Sequence, residues 1–389
     1  MPGDVPQLHL AVALDGAGWH PAAWREPDAR PDELFTARYW ADLVTESERG
    51  LLDFVTIEDS LGWPRPPSPE LVQGRLDAVL VAARVAPLTR HIGLMPTVVV
   101  THTEPFHASK AIATLDYVSS GRAGVRVQVS AAPEHAAHFG RRTIPAGEDQ
   151  AARQPRADLF AEAADYVEVM RRLWDSWEDD AEIRDAATGR FVDRGKLHYI
   201  DFEGRWFKVK GPSITPRPPQ GQPVVSALAH RGVAYDLAAR STDVVFVTPR
   251  DAEHAAGLVR RIDDAQRDTG RRAPPVRIFA DLLVYLDPAP DAAAARRARL
   301  DGQAGEQYAS DALGFAGTPG HLADLLLDWQ AAGVAGFRLR PATIPHDLIQ
   351  VTRALVPELQ RRASFRTEYQ SASLRGHLAL PRPASRYAA

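Results

Sequence analysis

Short apolar runs in this chain are repeatedly followed by residues that could move a proton, donate a hydrogen bond or hold an anion. Asp15, Gly16, Gly18 and His20 follow the first run, and Glu58, Asp59 and Ser60 follow the second. Thr97 lies in the third run, with Thr101 and His102 just beyond it. Arg126, Gln128 and Ser130 mark the fourth, Ser226, His230 and Arg231 the fifth, and Arg338 and Arg340 the last. Several of these also have ordinary structural readings. Asp59-Ser60 has the composition of a turn or helix cap, His20 that of a loop histidine before proline, and Thr97 that of a strand former. His102 and His107 flank a Thr-Glu-Pro turn, with His107 on the solvent side of the next helix. His230-Arg231 is different. Basic residues oppose the dipole at the start of a helix unless an anion neutralises them, which points to a phosphate there.

Other chemistries are disfavoured. No His, Asp and Glu group has metal-ligand spacing, and neither a Walker-type loop nor a strand-linked Gly-x-Gly-x-x-Gly is present. Ser120-Gly121-Arg122-Ala123-Gly124 reads as a tight turn rather than a nucleophile elbow. Glu58 and Asp59 are adjacent, so on a strand they point to opposite faces and make a poor glycosidase pair. Glu178-Asp179-Asp180 reads as a solvated loop.

The elements that must position these groups alternate along the chain. About eight apolar runs (8–14, 53–57, 92–100, 124–129, 223–227, 243–247, 276–286 and 336–339) read as strands buried on both faces. Between them, 35–49, 69–85, 106–119, 157–177, 232–241, 252–268, 321–332 and 347–361 carry helical spacing. Repeated strand–helix alternation predicts an α/β fold, a (β/α)8 TIM barrel with insertions, with an open doubly wound sheet as the runner-up. Two segments exceed a minimal barrel. Residues 176–222 read as an inserted cover, ordered by Tyr199, Phe202, Trp206 and Phe207, and 365–389 as a C-terminal tail.

Composition narrows the function classes. Hydrophobic residues make up 45% and charged residues 25% of 389, the values of an ordinary globular protein. The absence of cysteine excludes a disulfide scaffold, a thiolate metal site and a cysteine nucleophile, and it fits a cytoplasmic setting. The charge balance, 46 − 50 = −4, gives no global field favouring nucleic acid or an anionic membrane. No run reaches the roughly 20 apolar residues of a membrane helix. The N-terminal segment lacks the basic start of a signal peptide and reads as the approach to a first strand.

Several longer segments are distinctive together: 18–25 (GWHPAAWR), Glu58-Asp59-Ser60, 104–107 (EPFH), 115–124 (LDYVSSGRAG), 173–180 (LWDSWEDD), 189–207, 211–225 (GPSITPRPPQGQPVV), 237–246 (LAARSTDVVF) and 366–380 (RTEYQSASLRGHLAL). Through them the chain resembles, nearly end to end, the flavin-dependent luciferase-like monooxygenases, in particular the nitrilotriacetate and dibenzothiophene-sulfone monooxygenase group. The resemblance implies a single barrel domain over 1–389 and a two-component oxygenase. A separate NADH- or NADPH-dependent reductase would supply reduced FMN, and O2 would give one oxygen atom to a small organic substrate. It also implies a homodimer or homotetramer.

By position, Asp59 and Thr97 match flavin-contacting residues of the family. A shielded pocket, which the insertion and tail could cover, would protect the oxygen chemistry from water. His20 and His102 are the candidate donors or acid–base groups beside it. The departures cluster at the flavin phosphate site. A family histidine and tyrosine are Arg156 and Phe160 here, and a Gln-Ala-Gly-Ser-Ser stretch is Ala227-Leu228-Ala229-His230-Arg231. Val125-Arg126-Val127-Gln128-Val129-Ser130 stands where the family has Trp-Asn-Val-Val-Thr-Ser. Either Arg156 and Arg231, with His230, keep the phosphate through charge-assisted bonds, or flavin binding has weakened in a divergent member with a non-oxygenase role. A deazaflavin-dependent oxidoreductase of the same fold is the near alternative.

Overall fold

A computed structural model describes residues 7–63, 70–145, 150–230 and 232–387. In chain order β1 (His9–Leu14) leads into α1 (Ala37–Arg49), β2 (Phe54–Ile57) into α2 (Ala78–Val85) and β3 (Gly93–Val99) into α3 (Pro105–Val118). β4 (Gly124–Gln128) leads through the one-turn α4 (Pro133–Ala137) into the long α5 (Gln150–Asp175). Two small hairpins follow, β5–β6 (Glu182–Asp185, Arg190–Val192) and β7–β8 (Phe202–Glu203, Lys208–Val209). β9 (Val224–Leu228) with α6 (Val233–Ser241), β10 (Val244–Val247) with α7 (Ala252–Asp268) and β11 (Arg277–Leu286) with α8 (Pro290–Ala304) resume the alternation. β12 (Leu313–Gly317) and α9 (Pro319–Ala331) precede β13 (Gly336–Pro341). The chain ends with α10 (His346–Gln350), a π-helical turn Val351–Leu355, α11 (Val356–Arg361) and α12 (Leu374–His377).

The strands pair in parallel in the order β1-β2-β3-β4-β9-β10-β11-β13, and β13 returns to β1. The result is a closed barrel of eight parallel strands with helices outside it. All eight expected runs are its strands. Besides the short helices α4 and α12, two elements of the alternation were not expected. α8 buries only Ala293, Arg296 and Leu300, too thin an apolar stripe to show a clear period. β12, partly buried, pairs with the distal half of β11. The helix expected over 69–85 forms only at Ala78–Val85, with Asp77 capping it through a bond from the Leu80 N–H. Residue 69 lies outside the described residues. Among the described residues no helix is long and apolar enough to cross a membrane.

Period-two alternation stacks the barrel interior in layers. The lower layer is apolar: Ala11, Phe54, Met95, Val224, Val244 and Phe279 are buried together. Two residues further along their strands stand Thr56, Thr97, Ser226 and Asp281, and Arg126 and Arg338 occupy the same level after Gly124 and Gly336. The interior therefore changes from apolar to polar within one layer, moving toward the C-terminal strand ends.

The tail packs on the barrel, but at the opposite end from the expected one. Leu374, Leu378 and Leu380 join the lower apolar layer. Gly93 and Gly124 make room for them, since a Cβ at either position would meet a Leu374 methyl at 2.5 or 3.1 Å. The Leu374 N–H donates to Gly121 O (3.1 Å), and Arg277 donates to Leu378 O (3.1 Å). The insertion lies on the same side, because it joins the end of α5 to the start of β9. Arg217 pairs with Asp175 (3.1 Å) and donates to Pro383 O (2.9 Å), while Phe202 and Ile200 pack outside α5 on Val169 and Leu173. The expectation that 176–222 and 365–389 cover the reactive pocket is therefore corrected. An α-to-β connection belongs to the N-terminal face by chain direction, and the tail is drawn to the apolar layer exposed there.

Leu374→Ala should cost about 2–5 kcal/mol in urea unfolding through the cavity left among the barrel's lower side chains. Asp243, at the same face, gives a pH prediction. Its burial favours the neutral form, but Arg171 at 2.8 Å and Arg375 outweigh this and bring its pKa down to about 2. A depressed carboxylate contributes stability above its unfolded pKa near 4 and loses it as pH falls through the folded value. The stability gap between wild type and Asp243→Asn should narrow by on the order of 2 kcal/mol between pH 4 and pH 2.

Candidate functional site

At the C-terminal ends of β1 and β2 the first two strand-to-helix loops line a half-open cavity of about 650 Å³. Its walls come from residues within 15–40, 58–63 and 71–76, with His138 and Tyr308 beside them. No described residue of 176–222 or 365–389 lines it. Asp15 and Arg75 face each other across the wall at 2.9 Å. Burial holds the Asp15 carboxyl above the usual carboxylate range even with that guanidinium beside it.

His20 lines this cavity and is almost completely buried. Its Nδ1 accepts from the Ala22 N–H (3.1 Å), and its Nε2 faces Asp301 (3.2 Å), which also accepts from the Tyr308 N–H (2.9 Å). Tyr285 and Tyr308 meet the ring edge-on. Burial lowers the pKa of the imidazole. Both nitrogens are engaged, which fixes the Nε2–H tautomer and leaves no lone pair facing the cavity.

Below the cavity lies a buried ion network. Glu58, which also lines the cavity, accepts from Arg126 and from Arg338 (3.2 Å). Arg338 donates to Asp281 (2.8 Å), Arg340 donates to Asp281 (3.0 Å) and pairs with Asp311 (2.5 Å), and Asp311 faces His230 Nε2 (3.2 Å). Arg126 also donates to Thr97 Oγ1 (3.1 Å) and to Gln128 (3.1 Å). Arg338 sits over the Phe246 ring and Arg340 over Trp19, a cavity residue. Burial disfavours the Glu58 carboxylate, but Arg126 and Arg338 more than compensate and hold it below the usual range. Asp281 went unnoticed in the sequence because it sits inside a continuous apolar run. An aspartate at an inward strand position was the available signal.

Of the sequence-predicted flavin residues, Asp59 lies between the cavity-lining Glu58 and Ser60, and the others stand toward β3, α5 and α6 across the barrel mouth. Thr97 is buried and its hydroxyl accepts from Arg126. Asp59 caps the approach to α2, accepting from the Ala78 N–H (3.0 Å) and the Ser60 N–H (2.7 Å), and burial raises its pKa. Arg156 and Phe160 lie one turn apart on α5 and are half-buried. Phe160 packs on the clusters containing Ala229 and Tyr235, so this part of α5 adjoins the end of β9 and the start of α6. His230, exposed, precedes that helix start. No side chain caps α6, and its cap residue Gly232 has φ +44°. Uncapped N–H groups with a cation nearby suit a phosphate. Arg231 lies outside the described residues.

His102 is held apart from His20. It is buried with φ +77°, stacks on Phe139 (5.2 Å) and lies near Arg142, Glu162 and His135. Burial lowers its pKa. Neither ring nitrogen has a hydrogen-bond partner among the described residues. An orphaned buried polar group costs about 1–3 kcal/mol, so these atoms suit a bound polar partner such as a flavin.

Removing one member of the network should be costly. Glu58→Gln would leave the buried Arg126 without its carboxylate partner beside Arg338, destabilising the protein by about 3–5 kcal/mol. Glu58→Gln/Arg126→Gln should recover part of that loss in urea unfolding, which independent side chains would not do.

Residues 17–312 match the family described as luciferase-like monooxygenase. The chain is 30% identical to N-acetyl-S-(2-succino)cysteine monooxygenase of Bacillus subtilis (strain 168), over 98% of each chain. It is 29% identical to nitrilotriacetate monooxygenase component A of Aminobacter aminovorans, over 97% of each. Dibenzothiophene-sulfone monooxygenase of Rhodococcus erythropolis (strain XP) is also 29% identical, over 97% of each. Among solved structures, EDTA monooxygenase from Chelativorans sp. BNC1 superposes with a TM-score of 0.85, covering 97% of this chain and 99% of that one at 22% identity, which establishes the shared fold.

Proposed function

The chain belongs to the luciferase-like monooxygenases, and from that premise we propose that it is the oxygenase component of a two-component system. In this reading it takes reduced FMN from a separate NADH- or NADPH-dependent flavin reductase in the cytoplasm. It uses O2 to place one oxygen atom in a small organic molecule, and the other atom leaves as water. The observation that carries the reading is the family match across the barrel, together with a half-open cavity at the C-terminal strand ends.

Reduced FMN, when bound, supplies the two electrons that activate oxygen. The protein's contribution is to bind, orient and keep water out. Arg156 and His230, beside the uncapped start of α6, would hold the phosphate. His102 offers two unsatisfied nitrogens to the polar part of the cofactor. Thr97 acts indirectly, since its hydroxyl is already bonded to Arg126. His20, locked between Ala22 and Asp301, orients the cavity wall and does not serve as a mobile base.

Flavin titration tests this assignment. Arg156→Ala and His230→Ala should each weaken FMN binding by about 1–3 kcal/mol while leaving riboflavin, which lacks the phosphate, unaffected. His102→Ala should weaken both flavins. Equal affinity of wild type and variants for FMN would remove these residues from the site. With a reductase and ¹⁸O2, a single labelled oxygen in the product is the expected outcome. Absence of both flavin binding and label would reject the oxygenase reading.

A further inference from the structure

We propose that the cavity at the ends of β1 and β2 takes a neutral, ring-bearing organic molecule without carboxylate groups. The inference rests on the oxygenase reading and names the substrate class for the same site. Three observations lead to it. First, the wall is aromatic: Trp19, Trp24, Phe35, Trp40, Trp63 and Tyr308 all line the cavity. Phe35 and Trp63 are 54% and 62% exposed, so a large apolar surface at the lip has no cover among the described residues. Burying it against another apolar ring is favourable at roughly 25 cal/mol per Å².

Second, the polar groups on the wall are already committed. Arg75 is paired with Asp15, Glu58 is held by Arg126 and Arg338, and His20 uses both ring nitrogens. His138 is at the exposed rim. The two carboxylates facing the cavity, Asp15 and Glu58, are already matched by Arg75, Arg126 and Arg338, so the wall offers no uncommitted cation. A polycarboxylate entering here would lose its hydration, meet like charge and have to break the Asp15–Arg75 pair to gain a cation.

Third, the predicted flavin residues Thr97, Arg156, Phe160 and His230 do not line this cavity, which leaves it for the other reactant. A volume of about 650 Å³ is the size of a site for a two- or three-ring molecule.

The test is calorimetric titration of the full-length, flavin-free protein with dibenzothiophene sulfone, a neutral tricycle, and with nitrilotriacetate, a tricarboxylate. The sulfone should saturate in the micromolar range with a negative heat-capacity change, and Phe35→Ala and Trp63→Ala should each weaken it about fivefold or more. Nitrilotriacetate should give no saturable heat. The proposal is overturned if the tricarboxylate binds as tightly as the sulfone, if the sulfone does not bind, or if FMN displaces it competitively. No turnover is measured. Loss of sulfone binding with FMN binding intact rejects only the substrate class, and the reverse result rejects only the flavin reading.

Discussion

Charges can be carried inside a barrel only if each has a partner, and that requirement organises the reactive face of this protein. Glu58, Asp281 and Asp311 are set against Arg126, Arg338 and Arg340. The groups come from four barrel strands or their ends and from the segment before β12. Parallel register brings them level: Asp281 stands opposite Arg338, and Thr97 opposite Arg126. Buried ion pairs add little net stability compared with well-packed apolar groups, but they penalise any arrangement that separates the partners. They therefore define which rotations and registers of the strands are acceptable, and they set the polarity of the cavity floor.

The network also divides the mouth of the barrel into two territories. On one side Glu58 faces the aromatic cavity and Arg340 braces Trp19. On the other side Arg126 engages Thr97, and Asp311 faces His230, next to the uncapped start of α6. One reactant site is apolar with committed charges, and the other brings the uncapped start of α6 near basic residues. An oxygenase that must hold an anionic cofactor beside an organic substrate benefits from that separation, because neither site presents the other's recognition chemistry.

Much of the fold was legible in the sequence, for a physical reason. Strands buried on both faces leave continuous apolar runs, and most of the eight barrel strands do so, whereas β4 and β13 carry arginines at alternate positions. α8 was not legible because its alanines and arginines bury only a narrow stripe. The polar residues at the strand ends could be named, but their pairings could not, since Arg338 and Asp281 meet only through barrel closure. The same limit applied to His20 and His102. Both were recognised as candidates from position, and only packing distinguishes a histidine with both nitrogens bonded from one with neither bonded. The side on which the insertion and tail pack could have been inferred from chain direction, because a helix-to-strand connection returns to the N-terminal face.

The tail has a consequence for the order in which the molecule can be completed. The strands that form the barrel's lower layer begin with Ala11 and end near Gly336, yet the side chains that seal that layer are Leu374, Leu378 and Leu380. During synthesis the ring of strands is finished before its floor exists. Residues 374–380 must clear the ribosome before the apolar interior is shielded. A segment made after every barrel strand is thus the closing piece of a core whose first residues are made long before it.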